Sequence, residues 1–472
     1  MNNLYKRLTT GVHSLGWVCL ALVLHCCHPS VDPQVKGSIA DKKISQFEMA
    51  GYCDLLIDKA GAYHVVFQEN PAYGKPVFIY HSISSDKGNS WSKPVNISND
   101  NTGNGAGSPR ILQDGSGTIY AIWKRYGNTA DQYPVSEVLL DGPGGYGMGT
   151  VFYSVLQGGA WSQPIRINET QRAQNSWFAT VTPQGKVAVF WAQLGPAAIK
   201  VGSLYAYAWY CDYVRSAVLN GTTPGAIVDY SRPWAPTQQY EQMPYQGYNN
   251  LDGYVDAAGN PHIVFEKQST DGIQQVNYFN GQTTRVIYSY PKYSTNNTFS
   301  NPAKLLVDDK GVDHVILLPL SSTLESEQVW DIDLSTTTNR KTIIFNFQDS
   351  GSTIRGFQTS QGPNGKMGVV VEANPKRLAN VEAYGCFYEN GVWQFGGLTS
   401  NASKDDFKST SLNTYYGREY FVSLTSYQSS YASVAWDGAG RRRMALTLAA
   451  QWTGNGGYST SSPSIVYVPI DQ

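Results

Sequence analysis

Short apolar or alternating runs recur in pairs along this chain, each pair joined by a turn of Asp, Gly and Asn. The first pair runs from Tyr52 to Ile57, turns at Asp58-Lys59-Ala60-Gly61 and resumes at Tyr63-His64-Val65-Val66-Phe67. The second joins Arg110–Gln113 to Ile119–Trp123 through Asp114-Gly115-Ser116-Gly117, and the third joins Ala179–Thr182 to Val187–Trp191 through Pro183-Gln184-Gly185. In the fourth, Gly253–Val255 passes to His262–Phe265 across Asp256-Ala257-Ala258-Gly259-Asn260. Weaker copies follow over Leu305–Leu318, Gly356–Val371 and Ala432–Leu448. A period of two bounded by turn-forming residues predicts antiparallel hairpins, here seven of them.

Each hairpin is followed by further strand-like segments, such as Thr150–Leu156 with Trp161–Ile167, or Val381–Tyr388 with Val392–Gly397. Four strands per unit, repeating along the chain, predict an all-β, seven-bladed β-propeller of four-stranded antiparallel blades. Six blades are the alternative, with the irregular fifth unit read as an insertion. A free sheet edge invites pairing with other chains, so the ring needs closing. The last strand, Ile465–Val468, is followed by almost nothing, and a segment near 42–47 is expected to supply the missing outer strand. Two long loops interrupt the repeat, the Gly-rich 126–149 and the Tyr-, Pro- and Gln-rich 214–250. Long loops on a rigid scaffold commonly carry function.

Composition agrees with many strands and tight turns: 46 Gly, 13% aromatic and only 15% charged residues in 472. The formal net charge of −1 gives no reason to expect nucleic acid as a partner. Near the N-terminus, Lys6 and Arg7 precede an apolar stretch over Leu15–Leu24, which is short for a membrane span and reads as a secretory signal. His25-Cys26-Cys27 follows, resembling a bacterial lipoprotein signal with Cys26 or Cys27 as the lipidated residue. Residues 1–27 therefore read as signal, 28–41 as linker and 42–472 as one propeller domain. The protein is expected outside the cytoplasm, as a periplasmic, cell-surface or secreted monomer, touching membrane only through a lipid anchor. Cys53, Cys211 and Cys386 follow no metal-ligand spacing and read as buried free thiols. No cofactor or catalytic metal is expected, while a structural calcium stays open.

One turn stands out. Ser84-Ser85-Asp86-Lys87-Gly88-Asn89-Ser90-Trp91-Ser92-Lys93-Pro94 lies between Val77–Tyr80 and Val95–Ile97. Its Asp can accept backbone N–H groups, its Gly can take positive φ and its Trp can fold back over the hairpin. The pattern Ser-x-Asp-x-Gly-x-x-Trp resembles the Asp-box of sialidase-like (BNR) β-propellers, and a degenerate copy recurs over Ser154–Pro164 with the same Trp-Ser-x-Pro tail. The Asp-box belongs to the blade periphery and implies fold rather than chemistry.

Chemistry is expected where inner strands begin and their partners end, since antiparallel geometry puts both at one mouth of the channel. Those positions are Arg110 with Lys124 and Arg125, Asn175 and Trp177 with Gln193, and Asn249 and Asn250 with Glu266 and Lys267. Arg355 pairs with Glu372 and Tyr431 with Gln451 and Trp452, while Tyr245 and Tyr248 lie on the long loop before the fourth hairpin. Aromatic faces stack on sugar rings while amides and cations hold hydroxyls and carboxylates, so an acidic oligo- or polysaccharide is the expected ligand. Arg441-Arg442-Arg443 reads as a solvated turn and edge strand.

The blade count, the hairpin type and the signal resemble seven-bladed bacterial polysaccharide lyases acting on uronate glycans such as ulvan, and related propeller rhamnosidases. The resemblance implies β-elimination, with Tyr248 as base or acid and Lys267 neutralising the uronate carboxylate, Arg125 competing for that role. Histidines expected at the mouth of such lyases are absent there, since His64, His262 and His314 open second strands at the opposite end and read as structural. His81 stays ambiguous. A glycoside hydrolase of sialidase or rhamnosidase type using Glu266 or Glu372, and a non-catalytic glycan binder, are the alternatives. The sialidase resemblance would imply three arginines, a Tyr with a Glu partner and an Asp acid/base; Arg110 resembles its first-blade arginine but follows the Asp-box unit.

Overall fold

The computed structural model describes residues 43–46, 50–71, 75–99, 105–126, 149–167, 174–201, 204–231, 249–268, 273–290, 303–319, 328–335, 339–347, 353–374, 382–397, 413–415, 418–420, 422–437, 439–454 and 459–469. Among the described residues strand follows strand, and a 3-10 turn at Pro363–Gly365 replaces the Asp turn of the sixth hairpin. The first blade is Ala50–Ile57, Tyr63–Glu69, Phe78–Ser84 and Val95–Asn96, hydrogen-bonded in chain order. The fourth (Asn249–Ser289), fifth (Ala303–Asn346) and sixth (Thr353–Gly397) repeat that four-stranded order.

The second blade, Ala106–Gln113, Ile119–Tyr126 and Gly149–Gln157, has an outer strand split into Ala160–Trp161 and Ile165–Arg166. The third, Gln174–Val181, Val187–Val201 and Leu204–Asn220, is similarly edged by Thr223–Pro224 and Val228–Ser231. One pairing, Gln174 with Gly149, joins these two blades into a ten-stranded sheet. Counted by inner hairpins the ring therefore has seven units. Counted by hydrogen-bonded sheets, setting aside the ribbon Asn413–Tyr415/Arg418–Tyr420, the described residues form six. The six-sheet count comes from this merger, not from the fifth unit, which is a regular blade.

The seventh blade departs from expectation. Among the described residues it has three strands, Val422–Trp436, Arg442–Gly454 and Ser459–Pro469. Lys43 makes only an isolated bridge, although Ile44 is buried in the cluster that holds Ala445 and Tyr467. Ring closure falls instead to inner strands and side chains, because Ala50–Ile57 packs between Ala106–Gln113 and Val422–Trp436. The loop expected over 214–250 is also corrected. Its first residues continue a long strand to Asn220, with Val214, Ser216 and Ala217 paired in register with Ala192, Phe190 and Val189.

The core lies between blades rather than within them. Val66 and Ile79 of the first blade share one cluster with Ile111 and Trp123 of the second, and Phe178 and Phe190 of the third share another with Leu251 and Phe265 of the fourth. A sheet buries both faces only against neighbouring sheets, so burying each such side chain, about 1.5–3 kcal/mol, stabilises the ring as a whole.

The repeated turn explains the repeated sequence. In Asp58, Asp114, Asp256, Asp308 and Asp437, Oδ1 accepts the N–H four residues on at 2.7–2.9 Å. The other carboxylate oxygen faces the residue opening the next strand: His64 Nε2 at 3.3 Å, Tyr120 OH at 3.4 Å and His262 Nε2 at 3.4 Å. These groups sit at the turn end of each hairpin, away from the channel mouth. His81 belongs there too: its Nε2 lies 3.0 Å from His64 Nδ1 and its Nδ1 accepts the Trp161 indole N–H at 3.1 Å.

Both tryptophans of the Asp-box pattern plug onto the preceding blade. Trp161 stands edge-on to His81 at 5.0 Å, and Trp91 tilts against Tyr467 of the seventh blade at 5.6 Å. The serine after each one caps the neighbouring strand, Ser92 Oγ accepting the Ile83 N–H and Ser162 Oγ that of Val155, both at 3.0 Å. In the full copy Asp86 accepts the Ser90 N–H at 2.8 Å and the Ser84 hydroxyl at 2.7 Å. The Ser90 hydroxyl also donates to Asp86, and these bonds, that one foremost, hold its carboxyl down to about 2. Gly88 takes φ 87° directly beneath the Tyr467 ring, where any Cβ would overlap it.

Candidate functional site at the channel mouth

The mouth ends of the inner strands share a device that the sequence pattern hides. Register breaks between Gly51 and Cys53, Gly107 and Arg110, Gln174 and Trp177, and Asn249 and Asp252. Three non-glycine residues in these breaks have positive φ: Tyr52 at 29°, Ser108 at 53° and Asn250 at 53°. Such conformations cost on the order of 1–3 kcal/mol each, and bulges of this kind re-aim side chains near functional sites. Two residues after each one stands a charged residue: Asp54, Arg110 and Asp252.

Those residues knit adjacent inner strands together. Asp54 Oδ2 accepts the Ile111 N–H at 2.9 Å and Oδ1 accepts the Ser433 hydroxyl at 2.7 Å, while Ser433 Oγ accepts the Leu55 N–H at 3.1 Å. Asp252 Oδ2 accepts the Leu305 N–H at 2.9 Å, and Ser176 Oγ that of Leu251 at 2.8 Å. A side chain of one blade thus satisfies a backbone donor of the next. The Arg110 Nε lies 3.3 Å from Asp54 Oδ2, an ion pair by distance without hydrogen-bond alignment. Its side chain is 42% exposed, so it remains open to a ligand. Lys304 is buried, with Nζ 3.9 Å from Asp252. Burial pulls its pKa down, Asp252 resists, and the Arg110 charge adds to the lowering.

At the fourth blade, Asn250 Nδ2 donates to Glu266 Oε2 at 2.7 Å. Glu266 is 7% exposed, a carboxylate held at the mouth end of its strand opposite Asn249. Burial, and then the Glu266 charge, push the Tyr290 hydroxyl well above the usual phenol range. On the second blade, Arg125 lies over the Phe152 ring at 5.2 Å, whereas Lys124 is buried. A braced carboxylate can exchange a proton, and half-exposed guanidiniums can hold an anion; the mouth offers both.

Of the residues named from sequence, the structure brings Arg110, Lys124, Arg125, Asn250 and Glu266 to this end of the ring, and half-buried Trp177 packs in the cluster between the second and third blades. Lys267 and Asn249 keep their strand positions, opposite Gln275 and Glu266, and Asn175 lies within the register break of the third blade. Tyr245 and Tyr248 lie outside the described residues, as does all of 1–42. Trp452 is not level with the rim. It pairs with Leu424, nine positions from the Ser433 that bonds Asp54, so it stands on strands that run on past the mouth. Tyr431 falls in a second break, between Ser430 and Ser433. The third blade runs on as well, pairing Leu194 with Cys211 through to Val201 with Leu204, about 25 Å of two-stranded ribbon.

Sequence reading missed Asp54, Asp252, Lys304 and Ser433. An Asp or Ser inside an otherwise apolar strand was the available signal, since a buried polar group needs a partner. Among the described residues no group of three or more His, Cys, Asp or Glu is placed to hold a metal ion. Cys386 is buried and its thiol pushed up to about 12 by that burial, and burial likewise pushes Cys53 far up.

No family model matches the chain, and no curated protein sequence matches it. Among solved structures it is similar to a protein of unknown function from Dyadobacter fermentans, at 11% identity over 90% of this chain and 97% of that one, TM-score 0.40. It is similar to an α-L-arabinanase of Penicillium chrysogenum, solved with arabinobiose, at 11% identity over 70% and 93%, TM-score 0.43. A Hadza microbial sialidase aligns at 11% identity over 89% of this chain and 66% of that one, TM-score 0.40. These likenesses are remote, and the propeller architecture rests on strand order and the ring of inner strands.

Proposed function

We propose that this protein is an exported, carbohydrate-active propeller that cleaves an acidic, uronate-containing polysaccharide at the channel mouth. The observation carrying the proposal is that two half-exposed cations, Arg110 and Arg125, and a buried carboxylate, Glu266, braced by a residue in a strained conformation, stand at the same end of the ring. Strained backbone of this kind clusters at binding and active sites, which supports function at the mouth.

β-Elimination is the favoured chemistry. A cation neutralises the uronate carboxylate, a base removes the C5 proton, the C4–O bond breaks as the C4–C5 double bond forms, and an acid protonates the leaving oxygen. Lys267 or Arg125 would supply the cation and Tyr248 the base or acid. Glycoside hydrolysis is the second reading, favoured by the burial of Glu266 and its Asn250 hydrogen bond, which suit a carboxyl that exchanges a proton during turnover.

The test is incubation with uronate polysaccharides while recording ultraviolet absorbance of unsaturated ends and, separately, reducing ends. Both signals rising together support the lyase; reducing ends alone support the hydrolase. Binding with neither signal leaves a glycan-binding protein, and no binding at all overturns the proposal. The lyase assignment expects Tyr248→Phe and Lys267→Ala each to abolish turnover, the hydrolase assignment expects that of Glu266→Gln. Export, with or without a lipid anchor at Cys26 or Cys27, is tested by fractionating cells and labelling with a palmitate analogue.

A further inference from the structure

Beside Arg125, the second blade carries two residues that the channel chemistry does not use, Phe152 and Arg166. Arg125 pairs with Thr150, Phe152 lies two residues further along that strand, and Arg166 pairs with Phe152. Alternation along a strand puts all three on one face of the blade. Trp123 identifies that face, because it too pairs with Phe152 and is buried in the cluster shared with Val66 and Ile79 of the first blade. Towards the interior the face is apolar and packed against the first blade. Phe152 and Arg166 stand level with Trp123 on the next strands outward, Arg125 stands one step nearer the mouth, and all three residues are half-buried.

The two cations lie within each other's field: burial, and then the Arg125 charge, lower the Arg166 pKa. An anion bound beside both guanidiniums is attracted by both charges. The aromatic ring supplies a flat apolar surface of the kind that sugar C–H faces stack on. At the periphery the two blades are tied by Asn99 Nδ2 donating to Gln163 Oε1 at 3.1 Å.

We propose that the half-buried margin of the second blade's face, where it leaves its packing against the first blade, is an anionic-sugar subsite, with Arg125 and Arg166 flanking Phe152. This rests on the acidic-glycan reading and extends it, because it runs the bound chain outward over the second blade. Arg125 is on the second strand of its blade and Arg166 on the outermost, two strand spacings or about 10 Å apart. The acidic group is a uronate carboxylate or a sulfate ester, which present the same charge to a guanidinium fork.

The experiment titrates the full-length protein by calorimetry with short and long oligouronates, a sulfated oligosaccharide and a neutral one. Arg166→Gln is expected to weaken long acidic ligands at least tenfold, leave the neutral one unchanged, and flatten the salt dependence of binding. Arg166→Lys should fall between, keeping the charge without the fork. A short oligouronate held at the channel should not feel the substitution. A loss confined to the oligouronate or to the sulfated ligand identifies which group the subsite takes, and either supports the proposal. Phe152→Leu, which keeps both cations, should weaken long acidic ligands severalfold and serves if Arg166→Gln folds poorly by thermal melt. Wild-type binding of acidic ligands that Arg166→Gln and Phe152→Leu leave unchanged overturns the subsite alone. Failure of the wild type to bind any acidic ligand overturns the acidic-glycan reading along with it.

Discussion

Removing the Asp54 carboxylate should unpick the ring where its two chain ends meet. Asp54→Ala deletes the acceptor of two buried hydrogen bonds, from the Ile111 N–H at 2.9 Å and the Ser433 hydroxyl at 2.7 Å, and leaves Arg110 without its nearby anion. Bonds to an ionised acceptor contribute about 1.5–3 kcal/mol each, and a stranded buried N–H costs about 1–3 kcal/mol. Partial relaxation and water entry offset some of this, so about 3–5 kcal/mol is expected. Asp54→Asn keeps one acceptor oxygen for Ile111 and should cost about half as much. Urea denaturation measures the loss as a shift in midpoint at constant slope. The cycle with Ser433→Ala should show coupling of at least about 0.5 kcal/mol, because both residues share one network across the seventh, first and second blades. A loss below about 1 kcal/mol for Asp54→Ala, or additive behaviour with Ser433→Ala, would refute the idea that this side chain closes the ring.

Further outcomes follow from the same geometry. His81 is pushed down to about 3 by burial and then by His64, so the unfolded chain binds more protons than the folded one below the ordinary His value. Its contribution is complete above about pH 6.5 and is lost as pH falls towards 3, so the melting temperature should drop on that acid limb and His81→Gln should flatten it. For His262, burial would lower the pKa but the Asp313 and Asp256 carboxylates outweigh it; this contribution is full below the ordinary His value and fades as pH rises through the raised one. A melting profile of His262→Gln that parallels the wild type across that range would contradict the assignment. Gly88→Ala combines a positive φ with overlap of the Tyr467 ring and should cost about 2–4 kcal/mol by the same urea assay, a neutral result being incompatible with the Asp-box packing. If Glu266 exchanges a proton in turnover, Glu266→Gln should lower kcat/KM at least about 100-fold while oligosaccharide affinity holds, which steady-state kinetics and calorimetry separate.

Hairpin after hairpin could be read from residue order because the information is local. Asp58, Asp114, Asp256, Asp308 and Asp437 each bond a backbone N–H four residues on, and that geometry needs no other part of the chain. The same holds for the Trp-Ser tails, where Ser92 and Ser162 cap their own hairpins. Local order likewise assigned His64, His262 and His314 to the turn end of their hairpins, since each opens a second strand directly after its Asp turn.

Inter-blade features were not legible in this way. The merger of the second and third blades rests on one pairing between Gln174 and Gly149, and the Trp161 plug rests on a histidine eighty positions earlier. At the mouth, hairpin geometry put Arg110, Asn250 and Glu266 at the ends of their strands, but it could not foresee the register breaks at Tyr52, Ser108 and Asn250. A one-residue slip exchanges the two faces of a strand, and only packing against the neighbouring inner strands decides whether it happens. The sequence by itself determined the inner hairpins, their turns and their order. The tertiary structure decided which polar side chains face the next blade, because those bonds join residues such as Leu55 and Ser433 that meet only when the ring closes.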